Sequence, residues 1–366
     1  MADKKTVVCD TECYRDFWLA AFKSTENDKT LTFAAWPGHP LDVDGLARIM
    51  RNVTIVTFNG IGYDAPMIAY ALTGVSCSDL KDASDAIIQD RLKPWDFERR
   101  FQVQVPRNWD HIDLMEVAPG QGSLKAYGGR LHCHRMQDLP IEPDASISPD
   151  DRELLTLYCL NDLETTIQLY KYLQPQLALR VAMSEEYGRD LRSKSDPQIA
   201  EAVVKDRVSD LVGWRVERPK ISFDTTFKYT APPMVSFQTP ELQAVKTLVE
   251  EQTFTLSDSG KVLMPKDLAK ADIKIGDSVY RMGIGGLHSS EACAAHFTDE
   301  DHFLEDRDVA SYYPSMILLN GWAPEHLGES FITVYRQIYE RRLAAKARAK
   351  VIRTRISEIE AELVDG

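Results

Sequence analysis

The stretch Thr6-Val-Val-Cys-Asp-Thr-Glu-Cys13 sets the tightest limit on what this chain can fold into. Thr6 to Cys9 are β-branched or apolar, the composition of a buried strand, and two carboxylates, Asp10 and Glu12, follow at once. Residues two apart on an extended chain project to one side, so the two acids point together at the end of a buried strand. Carboxylates crowded in such a place repel one another and lose hydration, and a divalent cation is the common remedy. An isolated pair at a solvated strand end needs no remedy. Further acids in matching positions decide between the two.

Two such acids follow. Residues 52–58 read as another strand, leading through Asn59-Gly-Ile-Gly-Tyr-Asp64 into a helical run to Leu72. Gly60 and Gly62 permit a tight turn, which places Asp64 at a helix start near the sheet edge. Residues 150–173 read as a helix opened by the cap signal Ser148-Pro-Asp-Asp151. Tyr158 and Asp162, four apart, share one face of it. Asp10, Glu12, Asp64 and Asp162 then converge with the Tyr158 phenol beside them, a set that takes about two divalent cations to offset its repulsion. Residues 16–23, 30–36 and 111–115 read as further strands and 41–51 as a helix. Strands followed by alternating helix and strand predict an α/β domain with a mixed sheet flanked by helices, ending near Tyr187.

A chain of 366 residues makes two or three domains. It has no apolar run of about 18 residues, so no membrane span or membrane partner is predicted, and its start lacks a signal core. Cys9, Cys13, Cys77, Cys133, Cys159 and Cys293 are scattered without a Cys-x-x-Cys pair, which favours a reducing cytoplasm over zinc or disulfides. His132-Cys-His134 has no further ligands near it in sequence. A net charge of -13 speaks against non-specific coating of nucleic acid, though not against a local basic groove around a metal-loaded acidic centre.

Three motifs, Asp10-Thr-Glu12, Asn59-Gly-Ile-Gly-Tyr-Asp64 and Tyr158-Cys-Leu-Asn-Asp162, occur in this order. Together they resemble the DEDDy-type 3′→5′ exonuclease domain of DNA polymerases, which has an RNase H-like fold. Tyr63 stands where that family usually has phenylalanine. The resemblance implies that Asp10, Glu12, Asp64 and Asp162 hold two Mg²⁺ or Mn²⁺ ions and that Tyr158 orients the attacking water. Phe58 and Asn59 would contact the frayed 3′ end of the DNA by stacking and hydrogen bonding. The residue types suit the chemistry: hard oxygens bind Mg²⁺, and paired cations activate water and stabilise the leaving oxygen.

Further on, Asp308-Val-Ala-Ser-Tyr-Tyr-Pro-Ser-Met-Ile317 resembles motif A of family B DNA polymerases, with Tyr312 for the usual leucine and Met316 for one isoleucine. By that match Asp308 is a palm metal ligand, Tyr313 lies under the deoxyribose, and Ser311 and Tyr312 lie near the triphosphate. Residues 280–286 look like the family's Y-x-G-G linker, with Gly285 and Gly286 against template phosphate. Glu340-Arg-Arg-Leu-Ala-Ala-Lys346 is similar to the first fingers helix, with Arg342 and Lys346 toward nucleotide phosphates. Eight basic residues lie between Arg336 and Arg355, on a helical pattern, single or double, over 330–363. Motifs B and C do not follow; Gly276-Asp277-Ser278 precedes motif A and reads as a turn.

The expected layout is an RNase H-like exonuclease domain (1–187), a connecting module (188–272), a partial palm (273–329) that includes a strand over 302–309, and a partial fingers helix (330–366). The expected activity is that of the proofreading 3′→5′ exodeoxyribonuclease of a family B polymerase, without synthesis by this chain alone. Single-stranded 3′ ends and primer-template DNA are the expected partners, with dNTP only in a complete polymerase, and replication accessory proteins besides. Missing motifs point to a shortened or naturally split form. The absence of a large domain ahead of Asp10 suggests a phage or another compact replicon, acting in the host cytoplasm. The alternative is a half-polymerase that binds DNA and nucleotide and needs a second chain. A nuclease on RNA ends is the third reading, against which Tyr313 argues.

Overall fold

Alternating side chains carry the first strand past its apolar start. In the computed structural model β1 runs Thr6–Tyr14, so Asp10 and Glu12 lie within the strand rather than after it. Residues 4–120, 122–220, 222, 225–257, 260–276, 278–289, 293 and 295–364 are described, which leaves Asp277 of the sequence-level turn outside them. β1 turns at Arg15 into β2 (Phe17–Ser24) and then β3 (Thr30–Ala35), both antiparallel neighbours in sequence order. Then come α1 (Val43–Asn52), β4 (Thr54–Thr57), α2 (Asp64–Ala71), α3 (Cys77–Ile88), α4 (Pro94–Phe101), β5 (Asp110–Asp113), α5 (Leu124–Arg130), α6 (Pro149–Tyr172) and α7 (Gln174–Tyr187). The five strands form one mixed sheet in the order β3-β2-β1-β4-β5, with β4 and β5 parallel to β1.

The period of two sorts this sheet into two apolar layers. Val8, Tyr14, Phe17, Leu19 and Val56 pack with Leu155, Cys159, Leu163 and Ile167 of α6. Val7, Cys9, Trp18, Phe22 and Ile55 pack on the other face with α1 to α4 through Leu46, Met50, Met67, Leu80 and Phe97. Helix α6 starts where its cap signal predicts: Ser148 and Asp151 form a reciprocal capping box, with Pro149 in the first turn.

The chain divides into two compact units between Val203 and Val204, inside α8 (Asp196–Val212) and past the predicted end of the first domain near Tyr187. The second unit holds β6 (Thr226–Phe227), α9 (Pro240–Glu251), β7 (Phe254–Leu256), β8 (Val262–Leu263), α10 (Lys266–Lys270), β9 (Asp272–Ile275), β10 (Ser278–Gly283), β11 (Gly286–Ser289), α11 (Tyr312–Asn320) and α12 (Gly328–Val364). Its strands make two small sheets, β6-β7-β8 and β11-β10-β9. Val208, Val216 and Val334 centre a small core. The strand predicted over 302–309 does not form: this stretch pairs with no strand among the described residues, and Phe303 stands 80% exposed. Apolar alternation suits a strand only where a neighbour accepts its backbone bonds. Helix α12 is one continuous element of 37 residues, exposed from Glu340 through Arg348 and again from Lys350 through Glu362. No helix among the described residues is long and apolar enough to cross a membrane.

Candidate active site

Register builds the site at the carboxyl end of the parallel strands, the usual place for ligands in such sheets. β4 pairs with β1 only from Thr6 to Val8, so the β4 flank of Asp10 and Glu12 lies beyond its last rung. Asp10 and Glu12 share the parity of Val8 and Tyr14 and therefore face α6. Nearly three turns into α6, Cys159 sits beneath them: its Sγ is 3.9 Å from Asp10 Oδ2. Donor atoms of Asp10, Glu12 and Cys159 all lie within 4.8 Å of one another. On the same helix the Tyr158 phenol is hydrogen-bonded to the Asp162 carboxylate. Thr11, between the two acids, faces the opposite layer, where Asp64 opens α2. The Thr11 hydroxyl donates to Asp64 Oδ1 at 2.6 Å, and Asp64 is only 3% exposed. Asp10 and Glu12 thus lie with Cys159 on the α6 face of β1, Asp162 follows further along α6, and Asp64 approaches from the opposite face.

Electrostatics agree with that geometry. Burial pushes the Asp10 carboxyl well above its ordinary value, and Asp64, Glu12 and Asp162 push it further. Glu12 is raised to about 8 by burial, then by Asp162 and Asp64, with Lys125 pulling the other way. Asp64 is raised to about 7 by burial, against the pull of the Thr11 hydrogen bond. Asp162 is raised by burial, with its bond from Tyr158 and the charge of Lys125 opposing. The Cys159 thiol is driven far up by burial and by the acids, so it stays neutral. Such a cluster holds protons when bare and releases them when a cation arrives. Its carboxylate oxygens are hard donors of the kind Mg²⁺ and Mn²⁺ prefer, while the third donor close to Asp10 and Glu12 is the Cys159 sulfur, with Asp64 and Asp162 outside that group.

The turn ahead of Asp64 is tightly built. Asn59 has φ +67°, in the left-handed region, and a Cβ on Gly60 would collide with Thr57 Oγ1, which is itself 2.7 Å from His111 Nε2. Phe58 packs edge-on against Tyr127 with ring centroids 5.8 Å apart. Sequence reasoning gave no role to Thr11, Lys125 or Cys159; for Asp113 it weighed support of the acid site against a capping or surface place and preferred the latter, whereas the structure buries it. Strand parity alone would have placed Thr11 opposite Asp10 and Glu12. Nothing in the sequence marks Lys125, which reaches the site from α5, 5.8 Å over the Tyr158 ring and 3.2 Å from Asp138.

The second predicted constellation is looser. Asp308 is exposed within the irregular 302–309 stretch and belongs to no cluster of three acid, histidine or cysteine donors among the described residues. Ser311, with φ +53°, precedes α11, whose first residues Tyr312 and Tyr313 are exposed with centroids 5.3 Å apart. Arg342 of α12 donates to Ser311 Oγ at 2.9 Å, and Lys346 follows one turn along the same helix. Gly285 and Gly286 lie at the β10–β11 hairpin turn, whose last rung pairs Gly283 with Gly286. No protein-family model and no curated protein matches this chain.

Proposed function

We propose that the first unit is an RNase H-like, DEDDy-type 3′→5′ exodeoxyribonuclease, the proofreading part of a phage-like family B DNA polymerase. One observation carries this reading: Asp10, Glu12, Asp64 and Asp162 gather around the middle of β1, and burial raises all four, with repulsion among them adding at Asp10 and Glu12. These four residues would hold two Mg²⁺ or Mn²⁺ ions, which supply an activated water and stabilisation of the leaving 3′ oxygen. The chain's own groups then have separate tasks. Tyr158, kept protonated by burial and by the acids around it, keeps a phenol proton at the edge of the cluster, where it orients water. Lys125 offsets part of the negative charge. Phe58 and Asn59, on the turn leading to Asp64, flank the place for a frayed 3′ terminus.

The test is digestion of a 5′-labelled single-stranded DNA in Mg²⁺ and then Mn²⁺, comparing wild type with the Asp10→Ala/Glu12→Ala double variant. A ladder shortening from the 3′ end is expected. The variant should slow it by on the order of 10²–10³-fold, since a catalytic cation contributes several kcal/mol. Wild type that leaves the 3′ end intact in both ions refutes the reading. The same digestion of labelled RNA decides substrate sugar. The Arg342–Ser311 bond favours a second reading for the later part of the chain, a DNA- and nucleotide-binding half-polymerase that needs a second chain. Primer-template binding without any digestion would support it in place of the first.

A further inference from the structure

We propose that Asp113 is a positioning residue for the acid cluster: its buried carboxylate holds the turn at residues 59–63 in the conformation that delivers Asp64 to β1. That role rests on the nuclease reading of Asp10, Glu12, Asp64 and Asp162; the anchoring geometry stands apart from it. Asp113 is the last residue of β5 and pairs in register with Thr57, the last residue of β4. The rung is closed by Leu114 N–H donating to the Thr57 carbonyl at 2.9 Å. Asp113 is 3% exposed, and the nearby Arg192 pairs with its neighbour Asp110 instead. Backbone amides satisfy Asp113. Oδ1 accepts from Asn59 N at 2.8 Å and Met115 N at 3.0 Å, and Oδ2 accepts from Ile61 N at 2.9 Å. A buried carboxylate caged by N–H groups makes short, charge-assisted bonds and fixes the backbone around it.

The turn needs that hold. Asn59 sits in the left-handed region, which asparagine tolerates better than other residues with a Cβ yet still at a cost relative to the extended or helical backbone. Gly60 is pressed against Thr57, which His111 prevents from moving aside. From these two residues the path to the acid is short. The Asn59 carbonyl accepts from Gly62 N and Tyr63 N, and the Gly60 carbonyl accepts from Ala65 N at 2.8 Å, beside Asp64. Asp64 then meets Thr11 of β1. Asp113 therefore sets the position of Asp64 through two amide bonds and one tight turn, and its charge also repels the Asp64 carboxylate directly.

The test compares wild type, Asp113→Asn and Asp113→Ala. Amide hydrogen exchange without metal should show protection of Asn59 and Ile61 lost in Asp113→Ala, with Val8 of β1 unchanged. Half-saturation by Mn²⁺, read from nuclease titration and independently from Mn²⁺ binding by electron paramagnetic resonance, should rise about 10- to 100-fold, as when a group supporting a ligand is removed. Asp113→Asn should fall between, because one carbonyl oxygen still accepts; it also carries the test if Asp113→Ala does not fold. Unchanged Mn²⁺ half-saturation in an active variant, or unchanged protection of Asn59 and Ile61, overturns the positioning role. A wild type that neither digests DNA nor binds Mn²⁺ overturns the nuclease reading and this role with it.

Discussion

Glutamine at position 12 should make the metal-free protein more stable while disabling the site. The Glu12 carboxyl moves from 4.5 in the unfolded chain to about 8 in the fold. The folded state therefore binds more protons between these values, and stability falls as pH rises through that window; below about 4.5 nothing is lost. At pH 7.5 three units separate the pH from the unfolded value, which at about 1.4 kcal/mol per unit sets a ceiling near ~4 kcal/mol. Glu12 is only partly buried by area, so solvent screening brings the cost to roughly 2 kcal/mol. For a unit of roughly 200 residues, that is a rise in melting temperature of about 4–8 °C for Glu12→Gln. Thermal melts followed by circular dichroism in EDTA from pH 5 to 8 read it directly. The gap between the two proteins should widen with pH. Added Mn²⁺ should then favour wild type, by about 2.7 kcal/mol at one hundred times its Kd. A constant gap across this range, or a variant that melts below wild type at pH 7.5, refutes the idea that desolvation and repulsion govern this cluster.

Two further substitutions probe the supports of Asp64. Thr11→Val removes the hydroxyl 2.6 Å from its carboxylate and should cost about 1–3 kcal/mol in urea unfolding, as expected for a buried acceptor left without its donor; Thr11→Ser should recover most of it, and a neutral Thr11→Val would refute the bond's contribution. Gly60→Ala forces a methyl against Thr57 and should lower stability by roughly 1–3 kcal/mol. An urea midpoint equal to wild type would show that the turn has room to relax.

Much of the first unit could be read from local pattern. The period of two in Thr6–Tyr14, the cap at Ser148 and the spacing of Tyr158 and Asp162 each fix a local geometry, and these geometries meet in space. Helices α3, α4, α5 and α7 were missed: α5 carries Gly128 and Gly129, which oppose helix formation unless tertiary packing holds them. Gly128 is tolerated because it lies tight against Thr165 of α6. The small sheets of the second unit were also invisible, since strands of two or three residues such as β6 and β8 leave no periodic signal. In 302–309 the signal was present and the partner strand was not. Lys125 illustrates what pattern cannot give, because its place depends on where α5 docks.

β1 is interpreted on both faces at once, and this limits how the gene can vary there. Substitutions leave the phase of the strand alone, whereas the gain or loss of one codon between Thr6 and Asp10 would rotate everything downstream of it by half a turn. Asp10 and Glu12 would swing under α2 and α3, into the layer of Trp18 and Met67, and Thr11 would take their place facing α6. The hairpin pairing from Val7↔Ser24 to Tyr14↔Phe17 leaves no loose rung to absorb the slip. The strand can change its letters, but it cannot change its count.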